Sequence, residues 1–195
     1  MKISNNLAKY QSKNPLKKIF IGLFIKKIVG IVKTLDIQTI LDAGCGEGLI
    51  MKKIYSKTSD FKIDGLDISS QSIDMAKKLL PGHNFFVGNI GKMPFADNSY
   101  DLIMALEVLE HLLEPPLALK EIKRIAKKYC LISVPWEPYF SLANFLSGKN
   151  IARLGADSEH VNFWSRKKII NLTGQYFNII SVQISFPWII ILAKK

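Results

Sequence analysis

Short apolar runs alternate with stretches of helical periodicity along most of this 195-residue chain. Four of the first five runs are each followed by a helical pattern, which is typical of parallel strands joined by crossover helices. These strands are predicted at residues 37–42, 61–67, 84–87, 100–105 and 129–134. Two further runs, 177–184 and 188–193, have only Ser185-Phe-Pro187 between them, so they predict an antiparallel hairpin. The predicted fold is α/β, with a seven-stranded, mostly parallel sheet and helices on both faces.

Helical patterns fill the intervals between the runs, with serines placed to cap two of them. These helices are predicted at residues 47–56, 70–80, 106–112, 116–127 and 166–175. The length suits one ordinary domain. We assign it to residues 37–195 and treat 1–36 as a basic, amphipathic helical extension.

The extension has two interpretations. Between residues 16 and 35, apolar side chains recur at helical spacing and lysines lie on the other side. Such a helix either packs on its own domain or binds an anionic membrane surface peripherally. Its longest apolar run, residues 19–25, is too short to span a bilayer and lacks the pattern of a signal peptide. We therefore expect a cytoplasmic protein, peripheral at the inner face of the membrane if the second interpretation holds.

The formal charge of +11 is unevenly distributed. Residues 1–36 carry eight lysines and one acid, and residues 113–195 carry twelve bases and five acids. The intervening block, 37–112, has seven bases and ten acids. A uniformly basic surface for nucleic acid is therefore not expected. Two cysteines and three well-separated histidines predict neither a disulfide framework nor a metal site.

The first predicted strand runs into a glycine-rich loop, Asp42-Ala-Gly-Cys-Gly-Glu-Gly48. Glycines allow a tight turn and a close approach of ligand to backbone. An acid at Asp42 would repel a pyrophosphate but suits a ligand that carries an ammonium or sulfonium group. At the tip of the second strand, Asp67 is placed to accept hydrogen bonds from a ribose diol. After the third strand, Asn89 offers a donor and an acceptor to an adenine edge, and Ile90 offers an apolar wall.

These segments, together with residues 93–101 and 106–112, resemble the class I S-adenosylmethionine-dependent methyltransferases. The last two stretches are most similar to the ubiquinone and menaquinone biosynthesis methyltransferases. The resemblance implies a Rossmann-like sheet with an antiparallel last strand and S-adenosyl-L-methionine as cofactor.

It also implies roles for particular positions. Asp42 would lie near the cofactor's ammonium, Asp67 would bind the ribose hydroxyls, and Asn89 would hold the adenine. Many relatives have Asp where this chain has Asn89. The other implied cofactor-binding residues are Gly44, Cys45, Gly46, Ile68, Ile90 and Leu106.

The acceptor side offers fewer motifs. Ser133-Val-Pro-Trp-Glu-Pro138 and Glu159-His-Val-Asn-Phe-Trp-Ser165 fall where relatives insert segments near the ligand edge of the sheet. His160 is a candidate general base for an acceptor hydroxyl, or else a structural residue of the loop. Trp136 and Glu137 are candidate acceptor contacts.

The sequence thus predicts methyl transfer to a small-molecule or lipid-linked acceptor. A nucleic-acid or protein methyltransferase, or a non-catalytic cofactor-binding protein at the membrane surface, remain alternatives. No nucleic-acid recognition module supports the first of these alternatives.

Overall fold

A single seven-stranded sheet organises the chain. The computed structural model describes residues 14–57, 61–146, 153–155, 157 and 159–195. The strands are β1 Thr39–Ala43, β2 Lys62–Asp67, β3 Phe85–Val87, β4 Tyr100–Leu106, β5 Ala126–Pro135, β6 Asn178–Ser185 and β7 Trp188–Lys194. The helices are α1 Pro15–Lys33, α2 Leu49–Tyr55, α3 Ser70–Leu79, α4 Pro115–Ile125, α5 Tyr139–Leu146 and α6 Arg166–Gly174.

The strand order is β3-β2-β1-β4-β5-β7-β6. Strands β1 to β5 pair in parallel, while β7 runs antiparallel to both β5 and β6. The predicted α/β class, seven strands and terminal hairpin are therefore confirmed. The order reverses beside β1, and ligands of open α/β sheets bind at such a point, beyond the carboxyl ends of the strands.

Central strands are buried on both faces, because helices cover each side of the sheet. In β4, Leu102 and Met104 point into one core while Ile103 and Ala105 point into the other. Ser69 and Ser165 cap α3 and α6, their side chains accepting from the backbone N–H groups of Ser72 and Lys168. The strand edges and helix starts that carry the site are thus fixed by a continuous core.

The segment after β4 differs from the prediction. Residues 106–112 were expected to be helical, but β4 extends to Leu106 and only a short 3-10 turn, Leu109–His111, follows. Glu107 adopts a positive φ of 62°, and its N–H donates to the Ser133 carbonyl of β5. These features prevent a helix from forming directly after β4. An irregular loop takes its place and carries Glu110 and His111, called the Glu-His pair below.

Helix α1 packs on the domain, as the first interpretation of the extension expected. Its buried residues are Ile21, Phe24, Ile28, Val29, Ile31 and Val32. They belong to the same core cluster as residues of the sheet. Leu23, which the periodicity placed with the apolar face, is instead 51% exposed, since the buried face is centred on Phe24 and Ile28. The helix is thus part of the domain's core, while some apolar side chains remain exposed.

No helix within the described residues is both long and apolar enough to cross a membrane.

Candidate cofactor and acceptor site

The glycine-rich loop is anchored to the neighbouring strand. The N–H groups of Gly44 and Cys45 both donate to the Leu66 carbonyl of β2, at 2.6 and 3.0 Å. Gly44 has a φ of +91°, and a Cβ at this position would collide with the side chain of Val108. A glycine is therefore required here both for its conformation and for space. The loop exposes bare backbone towards the cavity described below.

Asp67 lies at the tip of β2, as predicted. Its Oδ2 accepts from the Gly46 N–H at 2.8 Å, and its Oδ1 accepts from the Ser69 N–H at 2.9 Å. These bonds fix the carboxylate between the glycine-rich loop and the start of α3. A carboxylate has about four acceptor positions, so each oxygen retains capacity for a hydroxyl donor. The geometry suits the two hydroxyls of a ribose.

Asp42 is buried, with 2% of its surface exposed. Burial and, to a smaller extent, the negative charge of Asp67 together raise the pKa of its carboxyl to about 7. A cationic ligand group placed beside Asp42 would favour the ionised form. Burial, with Asp42 and Asp67 nearby, also raises the pKa of the Cys45 thiol far above its usual range. Cys45 is therefore an unreactive lining residue.

The segment after β3 supplies another wall of the site. Ile90 is buried, whereas Ile68 is 73% exposed at the rim. The Asn89 Oδ1 accepts from the Gly91 N–H at 2.7 Å, which orients its side chain in a tight turn. The remaining amide functions of Asn89 are those that can contact a base edge.

One cavity of about 630 Å³ connects these elements, within the size range of small-molecule sites. It lies beyond the carboxyl ends of the parallel strands. The predicted cofactor-binding residues that line it are Asp42, Gly44, Cys45, Gly46, Asp67, Ile68, Asn89, Ile90 and Leu106. His160 lines the same cavity at its other end.

Trp136 and Glu137 do not occur among the described residues that line this cavity. The Trp136 ring packs on Tyr139, with 4.4 Å between centroids, and the Glu137 Oε2 accepts from the Ser141 N–H. Both residues therefore stabilise the start of α5. The Glu137 carboxylate is still near enough for its charge to act on His160.

The structure brings together two histidines that are distant in sequence. The rings of His111 and His160 lie 5.0 Å apart, and both residues line the cavity with Glu110. Burial, followed by the charge of His111, lowers the pKa of His160, so its imidazole is neutral near pH 7. From the separation of the histidines in sequence we expected no cluster of ligands, whereas in the fold these two histidines are neighbours. The Glu-His and His-x-Asn motifs were visible separately, but only the fold shows that they meet.

Sequence reasoning also missed Glu47 and Phe140, which line the cavity. Glu47 is 2% exposed and lies within the glycine-rich loop. An acid inside a loop of small residues was the available indication of its position.

A protein-family model described as a methyltransferase domain matches residues 41–133. The match extends from β1 through β5 and includes the loop, strand tips and 3-10 turn described above. It ends before the segment that carries His160.

Two curated relatives each match about half of the chain. The chain is 28% identical over 103 residues to the demethylmenaquinone methyltransferase of Thermotoga maritima, covering 53% of this chain and 45% of that protein. It is 32% identical over 92 residues to the 2-methyl-6-phytyl-1,4-hydroquinone methyltransferase of Synechocystis, covering 46% of this chain and 29% of the relative. The matches thus span less than half of either relative.

A solved structure shares the fold over nearly the full length. The magnesium protoporphyrin IX methyltransferase of Synechocystis PCC 6803, with bound SAH, superposes with a TM-score of 0.72. Its sequence identity is 18%, and the alignment covers 95% of this chain and 90% of that one. The sheet with its antiparallel β7 is therefore an established architecture.

Proposed function

We propose that this chain, a member of the class I S-adenosylmethionine-dependent methyltransferases, methylates a small apolar or lipid-linked acceptor. The observation that carries the proposal is one continuous cavity, lined by Asp42 and Asp67 at one end and by His160 at the other. The two curated relatives are named for quinone-type acceptors, which supports an apolar substrate for this chain.

The residues present fit the cofactor. Asp67 would present its two fixed oxygens to the ribose, buried Asp42 would lie beside the ammonium, and Gly44 leaves room against bare backbone. When bound, S-adenosylmethionine supplies a methyl group already activated on a sulfonium. The chain's own task is to orient the acceptor and to exclude water, which accounts for much of the rate in such transfers.

We assign the acceptor end of the cavity to His160 and its neighbours. A neutral imidazole can accept a proton from an acceptor hydroxyl. The lowered pKa of His160 keeps it in that form near pH 7. Phe140, whose ring centroid lies 5.6 Å from that of His160, adds an apolar wall.

We expect Asp67→Ala to weaken S-adenosylmethionine binding by about 2 kcal/mol, or about thirtyfold in Kd, because the charge-assisted ribose bonds are lost. Isothermal titration calorimetry measures the change. Asp74→Ala, on the following helix and outside the lining residues, is the matched control. Equal affinity of Asp67→Ala and the wild type would contradict the site assignment.

Transfer of an isotopically labelled methyl group tests the reaction itself. The protein is incubated with labelled cofactor and a total membrane extract, and the products are separated by solvent partition and mass spectrometry. We expect label in an apolar small molecule. Label in RNA or protein would support the alternative methyltransferase classes, and tight binding without turnover would support a non-catalytic protein.

We further propose that α1 brings the protein to an anionic membrane that holds the acceptor, at the cytoplasmic face. Leu16, Ile19 and Leu23 form an exposed stripe at i, i+3, i+7 spacing, opposite the buried face, with 51–64% of their surfaces exposed. Helix α1 has no acid and carries Lys17, Lys18, Lys26, Lys27 and Lys33. An apolar stripe with flanking lysines suits the interface of an anionic bilayer.

The stripe continues across the neighbouring hairpin. Phe20 of α1 packs edge-on against Phe186, at 5.5 Å between ring centroids, and Phe186 is 42% exposed. Phe186 in turn approaches Tyr139 at the start of α5, whose Phe140 lines the cavity. The exposed apolar surface therefore leads from α1 towards the acceptor end.

We expect the triple variant Leu16→Ser, Ile19→Ser, Leu23→Ser to lower partitioning onto vesicles at least about tenfold, since each change removes apolar burial in the interface. Pelleting with phosphatidylglycerol–phosphatidylcholine vesicles measures this. The control carries Ser at Leu113, Leu117 and Ile180, which are exposed elsewhere. Surface changes are preferable to deleting residues 1–35, because the deletion would remove core residues. Equal pelleting of both triple variants would contradict the proposal.

A further inference from the structure

Two loops at the acceptor end of the cavity are joined by a set of hydrogen bonds. The N–H groups of Val161 and Asn162 both donate to the Glu110 carbonyl, at 2.9 and 3.0 Å. The Asn162 side-chain amide donates to the carbonyls of Leu109 and Leu112, at 3.3 and 2.6 Å. These four bonds hold the loop of residues 159–162 against the 3-10 turn. They place His160 beside the Glu-His pair.

Three metal-binding side chains converge where the loops meet. One donor atom each from Glu110, His111 and His160 lies within 4.8 Å of the other two. Donors on a tetrahedral ion with bonds of about 2.1 Å lie roughly 3.4 Å apart, so modest side-chain rotation would complete the site. Glu110 is 1% exposed. A buried carboxylate attracts a cation more strongly than an exposed one, because the protein interior screens charge less than water does.

The tautomer of His111 suits metal binding. Its Nδ1 lies 3.0 Å from the Glu159 carbonyl oxygen, so Nδ1 carries the hydrogen and donates. The Nε2 lone pair is then the one available to a ligand. Metal-bound histidines commonly have such a carbonyl partner, which fixes the ring. Glu107 and Asp157 line the same part of the cavity and add negative charge.

We propose that Glu110, His111 and His160 bind one divalent transition-metal ion, such as Zn²⁺ or Mn²⁺. Two imidazoles and one carboxylate are ligands these ions accept, and three protein ligands leave a position open. Because all three residues line the cavity, a further ligand of the ion would come from the cavity. The occupant of the open position would be an oxygen of the acceptor, which the ion would orient and acidify, with the released proton passing to solvent. This role rests on the proposed function and replaces direct proton acceptance by His160, whereas the binding itself does not depend on it.

The test uses full-length, untagged protein treated with a chelator and then titrated with Mn²⁺, with free ion followed by electron paramagnetic resonance. Co²⁺ absorption reports nitrogen ligation in parallel. We expect one ion per chain, and at least a tenfold weaker Kd in Glu110→Gln, His111→Gln and His160→Gln. His83→Gln is the matched control, because His83 bonds the Ile63 carbonyl and lies outside the cluster.

Failure of this inference is distinguishable from failure of the proposed function. Asp67→Ala should lose cofactor affinity and keep the ion, whereas His111→Gln should lose the ion and keep most cofactor affinity. Circular dichroism establishes that each variant is folded. No bound ion in the wild type, or equal Kd values in His160→Gln and His83→Gln, would overturn the site whether or not cofactor binds.

Discussion

Replacing Gly44 with alanine is expected to weaken cofactor binding by roughly two orders of magnitude, about 2.7 kcal/mol. The φ of +91° disfavours any L side chain, at a cost of about 1–2 kcal/mol. The added methyl group would also overlap the Val108 side chain. Because the Gly44 N–H is bonded to the Leu66 carbonyl, relieving the overlap would pull the loop off β2. Calorimetric titration with S-adenosylmethionine measures the loss.

Two further variants separate the effect of backbone strain from the effect of overlap with Val108. Gly82 has a similar φ of +96°, but a Cβ there would meet no atom within 4 Å, and Gly82 is not among the lining residues. Gly82→Ala should therefore have a backbone strain similar to that of Gly44→Ala and still bind the cofactor with wild-type affinity. Adding Val108→Ala to Gly44→Ala removes the overlap and should recover part of the binding. Wild-type affinity in Gly44→Ala, or no recovery in the double variant, would show that the close approach is unimportant.

The order of elements could be predicted because each strand carries its own pattern. Runs such as residues 100–105 and 129–134 are largely apolar on both faces, which is how strands of a parallel sheet are buried. Asp67 and Asn89 could be placed for a related reason. Each directly follows a strand, and the carboxyl ends of parallel strands meet at one edge.

Features that depend on tertiary contacts could not be predicted. The apolar spacing of residues 106–112 fits a helix, but the positive φ of Glu107 and its bond to β5 interrupt the helical backbone. His111 and His160 meet because Val161 and Asn162 bond the segment around the 3-10 turn, and no local pattern encodes those contacts. Trp136 and Glu137 were candidates for contact with the acceptor, but the side chains contact residues at the start of α5.

Two neighbouring residues of helix α1 test which of its faces belongs to the core. Phe24 is 1% exposed and its ring lies 5.0 Å from that of Trp188, whereas Leu23 is 51% exposed. We expect Phe24→Ala to lower the free energy of unfolding by about 3–5 kcal/mol, through lost burial and the resulting cavity. Leu23→Ala should change it by about 0.5 kcal/mol or less. Urea denaturation with an unchanged m-value measures both.

The consequence of Phe24→Ala should extend to the site. The Trp188 indole N–H donates to the Glu107 Oε2 at 2.5 Å, and Glu107 lines the cavity beside the Glu-His pair. Loss of the supporting phenyl ring frees the indole to shift, and Glu107 with it. Acceptor turnover should therefore fall in Phe24→Ala even where the protein is fully folded, while Leu23→Ala changes only membrane partitioning. If the two variants unfold at the same urea concentration, α1 does not belong to the core, and its lysines and leucines would have to be explained by the membrane alone.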